Sequence, residues 1–173
     1  VSWKVVPAAT SYQIYRSTAK DGDYQNIKTI NSVGTSSWTD GSVKTGKTYY
    51  YKIKTVVKTQ NGEQTSGFSN VKSAKAVPAK TTLKAKASDA KNVKLTWSKV
   101  KGASGYEIYR SNSKDGKCSK VKTISKGSTT SYKNGKLKKS TTYYYKIRAY
   151  RKVNGKKVYG SYSSVVSVKT KAK

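Results

Sequence analysis

Seven acidic side chains are available for acid–base chemistry: Asp21, Asp23, Asp40, Glu63, Asp89, Glu107 and Asp115. Six fall in stretches that read as turns or loops. Glu107 stands alone on a strand-like stretch among cations, so no pair of carboxylates of the glycosidase kind is suggested. The sequence has no histidine, which excludes a His-dependent triad and a His metal ligand. Asp21-Gly22-Asp23 lacks the length and ligand count of a calcium loop. Cys118 is the single cysteine, so no disulfide can form within the chain. It reads as a small filler near the core. Exposure beside Lys117 and Lys120 would instead make it a thiol of lowered pKa. The expectation is a chain without catalytic residues, metal or cofactor.

Binding chemistry is better represented. Lys and Arg total 37 against those seven acids, a net charge of +30, and only Arg16, Arg110, Arg148 and Arg151 are arginines. Such a field favours polyanions. Lysine is a diffuse point charge where arginine offers bidentate recognition, so weak, salt-sensitive attraction is expected. No recognition helix or RNA-binding aromatic motif accompanies it, so no specific nucleic-acid partner is expected. The other abundant group is aromatic: 15 Tyr, three Trp and one Phe. Three tyrosines stand in a row in TYYYKI at 48–53, and the same six residues recur at 142–147.

These side chains need elements to position them. Low hydrophobicity with high charge is a signature of disorder, but the aromatics argue against it. "KLTW", "YEIYR" and "YYYKIRAY" place apolar residues at every second position, the period of a strand with one buried face and one wet face. No stretch shows helical spacing, and no apolar run approaches the roughly 18–20 residues that would span a bilayer. The sequence opens in strand-like "VSWKVV", without a basic-then-apolar leader pattern.

An internal repeat sets the organisation. "VSWKVVPAATSYQIYRS" at 1–17 matches "LTWSKVKGASGYEIYRS" at 95–111, an offset of 94 that holds through both copies of TYYYKI. The offset slips by one near the Asn-Gly turns at 61–62 and 154–155 and recovers at Phe68 and Tyr162. The length suits a sandwich domain rather than a solenoid unit. Two modules are expected, 1–77 and 78–173, with a stiff junction around Pro78. In the second module seven strands are predicted, at 82–88, 92–99, 104–111, 118–124, 129–133, 142–153 and 162–170. Subtracting the offset leaves six in the first, which has no equivalent of the stretch before the second Trp segment. The fold class expected is all-β, two tandem immunoglobulin-like sandwiches.

"LTW", then "GYEIYR", then "LKKSTTYYYKIRA" resemble a fibronectin type III domain. The resemblance covers nearly the whole chain, twice. It places Trp3 and Trp97 on the second strand, and Tyr12/Ile14 and Tyr106/Ile108 on the third. Tyr49 and Tyr143 take the tyrosine-corner position, whose hydroxyl bonds back to nearby backbone. Thr45-Gly46 and Lys139-Ser140 stand where the family has Pro-Gly, which leaves the turn type of that corner open. The style of the modules is similar to those of Gram-positive, clostridial-type secreted and cell-surface proteins. The resemblance implies an extracellular or wall-associated spacer and interaction segment, with other domains of the same polypeptide as its partners. Anionic wall polymers, glycans or a surface protein are the implied external partners. A carbohydrate- or wall-binding module and a protein-binding adhesin are the alternatives.

The alternation sorts residues into two faces. Trp3, Tyr12, Ile14, Tyr49, Tyr51 and Ile53, with Trp97, Tyr106, Ile108, Tyr143, Tyr145 and Ile147, are expected in the cores. Tyr15, Tyr50, Lys52 and Lys54, with Tyr109, Tyr144, Lys146 and Arg148, are expected outward on the third and sixth strands. Two readings of that outer face stay open: cross-strand and cation–π packing, or a platform for sugars or an anionic polymer.

Overall fold

The computed structural model describes all 173 residues, Val1–Lys173. The chain divides into two compact units, Val1–Ala76 and Val77–Lys173. Both consist of strands, turns and loops, and no helix is long and apolar enough to cross a membrane.

The second unit holds two sheets. One pairs β6 (Leu83–Ala87) with β7 (Val93–Trp97) and β7 with β10 (Ser131–Asn134). The other runs β9 (Ser119–Ile124), β8 (Gly105–Ser111), β11 (Thr142–Val153), with both β12 (Lys156–Tyr159) and β13 (Val166–Lys169) on the far side of β11. All pairings are antiparallel. Alternate residues point between the sheets. Leu95, Ile108, Tyr106, Tyr145, Ile147 and Ala149 are fully buried there, with Trp97 and Tyr143 nearly so. This is the immunoglobulin-like sandwich, with the third and sixth strands at the centre of the larger sheet.

The seventh strand differs from expectation. Of the segment predicted at 162–170 only β13 forms as strand, and β12, at 156–159, lies ahead of it where no strand is predicted. Twelve-residue β11 is long enough to pair with both. Asn154 (φ 49°) and Gly155 (φ 75°) both take the left-handed conformation, the two-residue turn that matches strand twist. This turn starts β12. The ladder is interrupted at Ser163, whose N–H donates to Ile147 O while its own Oγ accepts from Ile147 N–H. A side-chain oxygen thus replaces a carbonyl, and β13 resumes beyond it.

The first unit repeats the larger sheet as β2 (Gln25–Ile30), β1 (Ser11–Ser17) and β3 (Thr48–Thr59), with β4 (Gly62–Thr65) and β5 (Lys72–Lys75) both on β3. Ser66 and Ser69 interrupt that edge as Ser163 does, their hydroxyls accepting from Thr55 and Ile53 N–H. The strands predicted around 1–5 and 35–39 reduce to one bridge, Ser2 with Ser37. No counterpart of β6 lies beside them. In the second unit Leu83 stands opposite Trp97 in the ladder. In the first unit a groove of about 580 Å³ opens instead, lined by Val1, Trp3, Val6, Tyr12, Ile53 and Phe68 among others. Trp3 and Ile53 are half-buried beside a core of Ile14, Tyr49 and Tyr51.

The corner is the same turn in both units. Gly46 (φ 91°) and Ser140 (φ 50°) are both left-handed. The tyrosine hydroxyls accept from backbone five residues earlier: Lys44 N–H to Tyr49 at 3.0 Å and Lys138 N–H to Tyr143 at 2.9 Å.

Candidate functional site

The outer face of the larger sheet is where aromatic and basic side chains gather, and the two units differ there. In the second unit register places Glu107 on β8 directly opposite Arg148 on β11, and Tyr109 opposite Lys146. Glu107 is 1% exposed. Its Oε2 accepts from Tyr109 Oη at 2.7 Å and Arg148 Nη2 at 2.9 Å. Its Oε1 accepts from Lys157 Nζ at 3.0 Å, Tyr159 Oη at 3.2 Å and Lys120 Nζ at 3.4 Å. Burial opposes ionisation of Glu107, but the hydrogen bonds from Tyr109, Arg148 and Lys157 outweigh it and hold the carboxyl down at about 2. The same carboxylate, added to burial, pushes the Tyr109 phenol above its ordinary value.

Aromatic rings enclose the arginine. The Arg148 guanidinium lies 3.7 Å from the Tyr159 ring centre, 4.9 Å from Tyr162 and 5.4 Å from Tyr109. Lys146 lies 4.5 Å over Tyr162, which meets Tyr109 edge-on at 5.2 Å. Next along β11, Tyr150 is buried on this outer face. It lies across Gly105, where any β-carbon would collide with its ring. Its hydroxyl donates to Ile124 O. Tyr144 shares the face but stands opposite Ser111 and Ser167, outside the cluster.

In the first unit Gln13 takes the place of Glu107 and Lys54 that of Arg148, again opposite one another. Tyr15 Oη donates to Gln13 Oε1 at 2.9 Å. Phe68 replaces Tyr162, meets Tyr15 edge-on at 5.0 Å and is 44% exposed. Lys52 and Lys54 lie 3.8 and 4.3 Å from its ring centre, with Lys52 also 4.1 Å from Tyr24. Neither lysine has a carboxylate within ion-pair distance. Tyr50 stands opposite Ser17 and Ser73.

A second polar cluster closes one end of each sandwich. Arg16 Nη1 donates to Asp40 Oδ2 at 2.7 Å, and Tyr51 Oη donates to the same oxygen at 3.0 Å. Burial raises the Asp40 pKa, but hydrogen bonds from Ser42, Arg16 and Tyr51 bring it below the usual carboxylate range. Burial, with that carboxylate, pushes Tyr51 up to about 12. Asn134 replaces Asp40 in the second unit, accepting from Tyr145 Oη at 2.8 Å and Arg110 at 3.2 Å.

Sequence reasoning placed Tyr109, Lys146 and Arg148 on this face but missed Glu107, Lys120, Lys157, Tyr159 and Tyr162 as their partners. The readable signal was the i, i+2 spacing of Glu107 and Tyr109, which puts both on one side of a strand. The β12 residues became visible only with the hairpin register. Cys118 is half-buried, its Sγ 3.9 Å from Gly116 O. No three of the His, Cys, Asp or Glu side chains come together as a metal-holding group.

No family model matches the chain. A stretch of 56 residues, 32% of the chain, is 43% identical to an amylopullulanase of Thermoanaerobacter thermohydrosulfuricus, and the chain covers 4% of that protein's length. Among solved structures the chain is similar to the FN1–FN3 domains of chicken CNTN1 (TM-score 0.48, 20% identity, 93% of this chain and 56% of that one). It is also similar to FN3tt (TM-score 0.46, 21% identity, 57% of this chain and 99% of that one). The all-β sandwich class rests on the strand ladders themselves.

Proposed function

We propose that this chain is a non-catalytic spacer and interaction segment of a larger secreted or cell-surface protein of a Gram-positive bacterium, and that it contacts anionic polymers of the wall. The observation that supports this reading is the closure of the Glu107 cluster. Its one carboxylate is saturated by two hydroxyls and three cations, so the one acid among the aromatic and basic side chains of this face is held in the fold rather than turned toward a substrate. The rest of the charge lies on exposed lysines, which attract polyanions without reading their sequence. The 56-residue match to an amylopullulanase, of which the chain covers 4%, fits a module carried within a much longer polypeptide.

The test is co-sedimentation of the full chain with purified Gram-positive walls, before and after extraction of their anionic polymers, across a salt series. Retention at low salt that is lost on extraction is expected. Equal retention on extracted walls, or none at low salt, rules the polymer contact out. A glycan platform is favoured by one observation, the exposed ring of Phe68 beside Tyr15. It would show as retention that survives high salt and disappears with Tyr15→Ala plus Phe68→Ala.

A further inference from the structure

The charge is not shared equally. The first unit has 11 Lys and Arg against four acids, a net +7, and the second has 26 against three, a net +23. Much of the second unit's excess is scattered on loops. One part of it is ordered by register, on the sheet that carries none of the aromatic cluster.

In the three-stranded sheet Lys86 on β6 stands directly opposite Lys94 on β7, and Lys94 stands directly opposite Lys133 on β10. The three form a row across the sheet, with strands about 4.8 Å apart. Lys84, two residues before Lys86, extends the row along β6 opposite Thr96. All four lysines are exposed. Their strand neighbours Leu83, Val93 and Leu95 are buried on the other side. None of the four is in an ion pair. The nearby acid, Asp89, is occupied by its own turn: its Oδ1 accepts from Lys91 N–H, and both oxygens accept from Asn92 Nδ2. Like charges directly opposite on a sheet destabilise it, so the fold carries this row against its own stability. In the first unit Ser2 and Ser37 stand at the positions of Thr96 and Ser131, and Thr39 stands at that of Lys133.

We infer that this face of the second unit is the docking surface for a linear phosphodiester polymer without bases, lying across β6, β7 and β10. The inference rests on the polyanion reading above and gives it a place. The chemistry of the face selects the occupant. It presents ammonium groups alone, which meet tetrahedral phosphate as point charges. The planar fork that fixes a carboxylate or a phosphate in one geometry is missing, so the face attracts a chain of anions without holding any one of them in place. It presents no outward aromatic ring, because Tyr132 packs against the core, so the stacking that holds single-stranded nucleic acid is lacking. Thr96 and Ser131, paired in register, add hydroxyl donors within the row.

The test uses the full 173-residue chain and poly(glycerol phosphate) as probe, with binding measured by calorimetry between 50 and 200 mM salt. Two triple variants carry the same loss of charge. The row variant is Lys86→Gln, Lys94→Gln, Lys133→Gln. The loop variant is Lys114→Gln, Lys117→Gln, Lys126→Gln. The row variant is expected to bind at least tenfold more weakly, with the slope of log K against log salt shallower by about 2, since each lost contact removes about 0.7. The loop variant is expected to stay within threefold of the parent. The row variant should melt no lower than the parent, because repulsion is removed, so loss of binding cannot be loss of fold. Equal weakening of both variants overturns the inference in favour of a diffuse field. So does weakening confined to a Lys52→Gln, Lys54→Gln, Lys146→Gln variant. Tighter binding of heparin, polygalacturonate or single-stranded DNA than of poly(glycerol phosphate) overturns the choice of occupant. If the parent binds none of the four, the polyanion reading itself fails; if it binds but the row is indifferent, only the placement fails.

Discussion

Glu107→Gln is the substitution that most directly probes the outer-face cluster. Glutamine keeps the shape and one acceptor but removes the charge that five donors face. The carboxyl is held at about 2 against an ordinary 4.5, a preference for the charged form of about 3 kcal/mol at 1.36 kcal/mol per unit. Arg148 is 21% exposed as a side chain, and leaving a buried cation unpaired costs a similar amount, about 3 kcal/mol. The sign with pH follows. The folded-state pKa lies below the unfolded one, so the contribution is complete above about pH 4.5 and is lost as pH falls toward 2. The variant is therefore expected to be about 3 kcal/mol less stable at pH 7, with the difference shrinking to under about 1 kcal/mol near pH 2. Asp89, whose carboxyl is lowered chiefly by the Lys91 and Asn92 hydrogen bonds, contributes alike to both proteins and cancels. Two units need not unfold together, so amide hydrogen exchange over β8, β11 and β12 is the appropriate measurement. A difference below about 0.5 kcal/mol at pH 7, the level of an ordinary surface substitution, would refute the assignment. So would a difference that did not change with pH.

Four further outcomes are expected. Adding Arg148→Lys to Glu107→Gln rebuilds the Gln13–Lys54 pair of the first unit and should recover about 1 kcal/mol, read as the coupling in a double-mutant cycle. Tyr143→Phe removes the acceptor for Lys138 N–H and should cost about 1–2 kcal/mol by urea unfolding. Ser140→Gly relieves a left-handed serine and should stabilise the second unit by about 0.5–1 kcal/mol, seen as slower exchange around the corner. Gly105→Ala drives a β-carbon into Ile124 O and the Tyr150 ring, and should cost about 1–3 kcal/mol or more by the same exchange measurement, as overpacking does.

The fold was legible because alternation and repeat agreed. In each TYYYKI the first and third tyrosines are buried, and the middle one stands half-buried on the other face, as a period of two requires. The interrupted last strand was not legible. Nothing in Ser66, Ser69 or Ser163 as residue types announces that a hydroxyl will replace a carbonyl in a ladder; that depends on which side of the edge each serine faces. The near loss of two strands in the first unit follows from pairing, since a strand at 1–5 without a neighbour at the position of β6 has partners on one side only. For the outer face, the sequence showed which residues point outward but not which of them are occupied. A lone acid among lysines reads as a solvated charge until register sets it opposite an arginine and a hairpin brings Lys157 and Tyr159 over it.

That distinction also separates the two units by what each can offer a partner. An arginine stacked against three rings and bound to a buried carboxylate is held by neighbours, and removing it to bind a ligand would break contacts already made. This makes the Glu107 cluster a clasp joining β8, β11 and β12 rather than a recognition surface. The Gln13 face of the first unit keeps the rings and cations but lacks the carboxylate, so Lys52 and Lys54 remain able to meet an external anion. The lysine row of the second unit lacks both carboxylate and rings. The same sandwich thus presents three surfaces of rising availability: a closed ion cluster, an open aromatic–cation pair, and a bare row of charge. Salt should discriminate among them. It affects the first least because the Glu107 carboxylate is buried, weakens the second in part because ring contacts persist, and abolishes the third because its attraction is entirely between exposed charges.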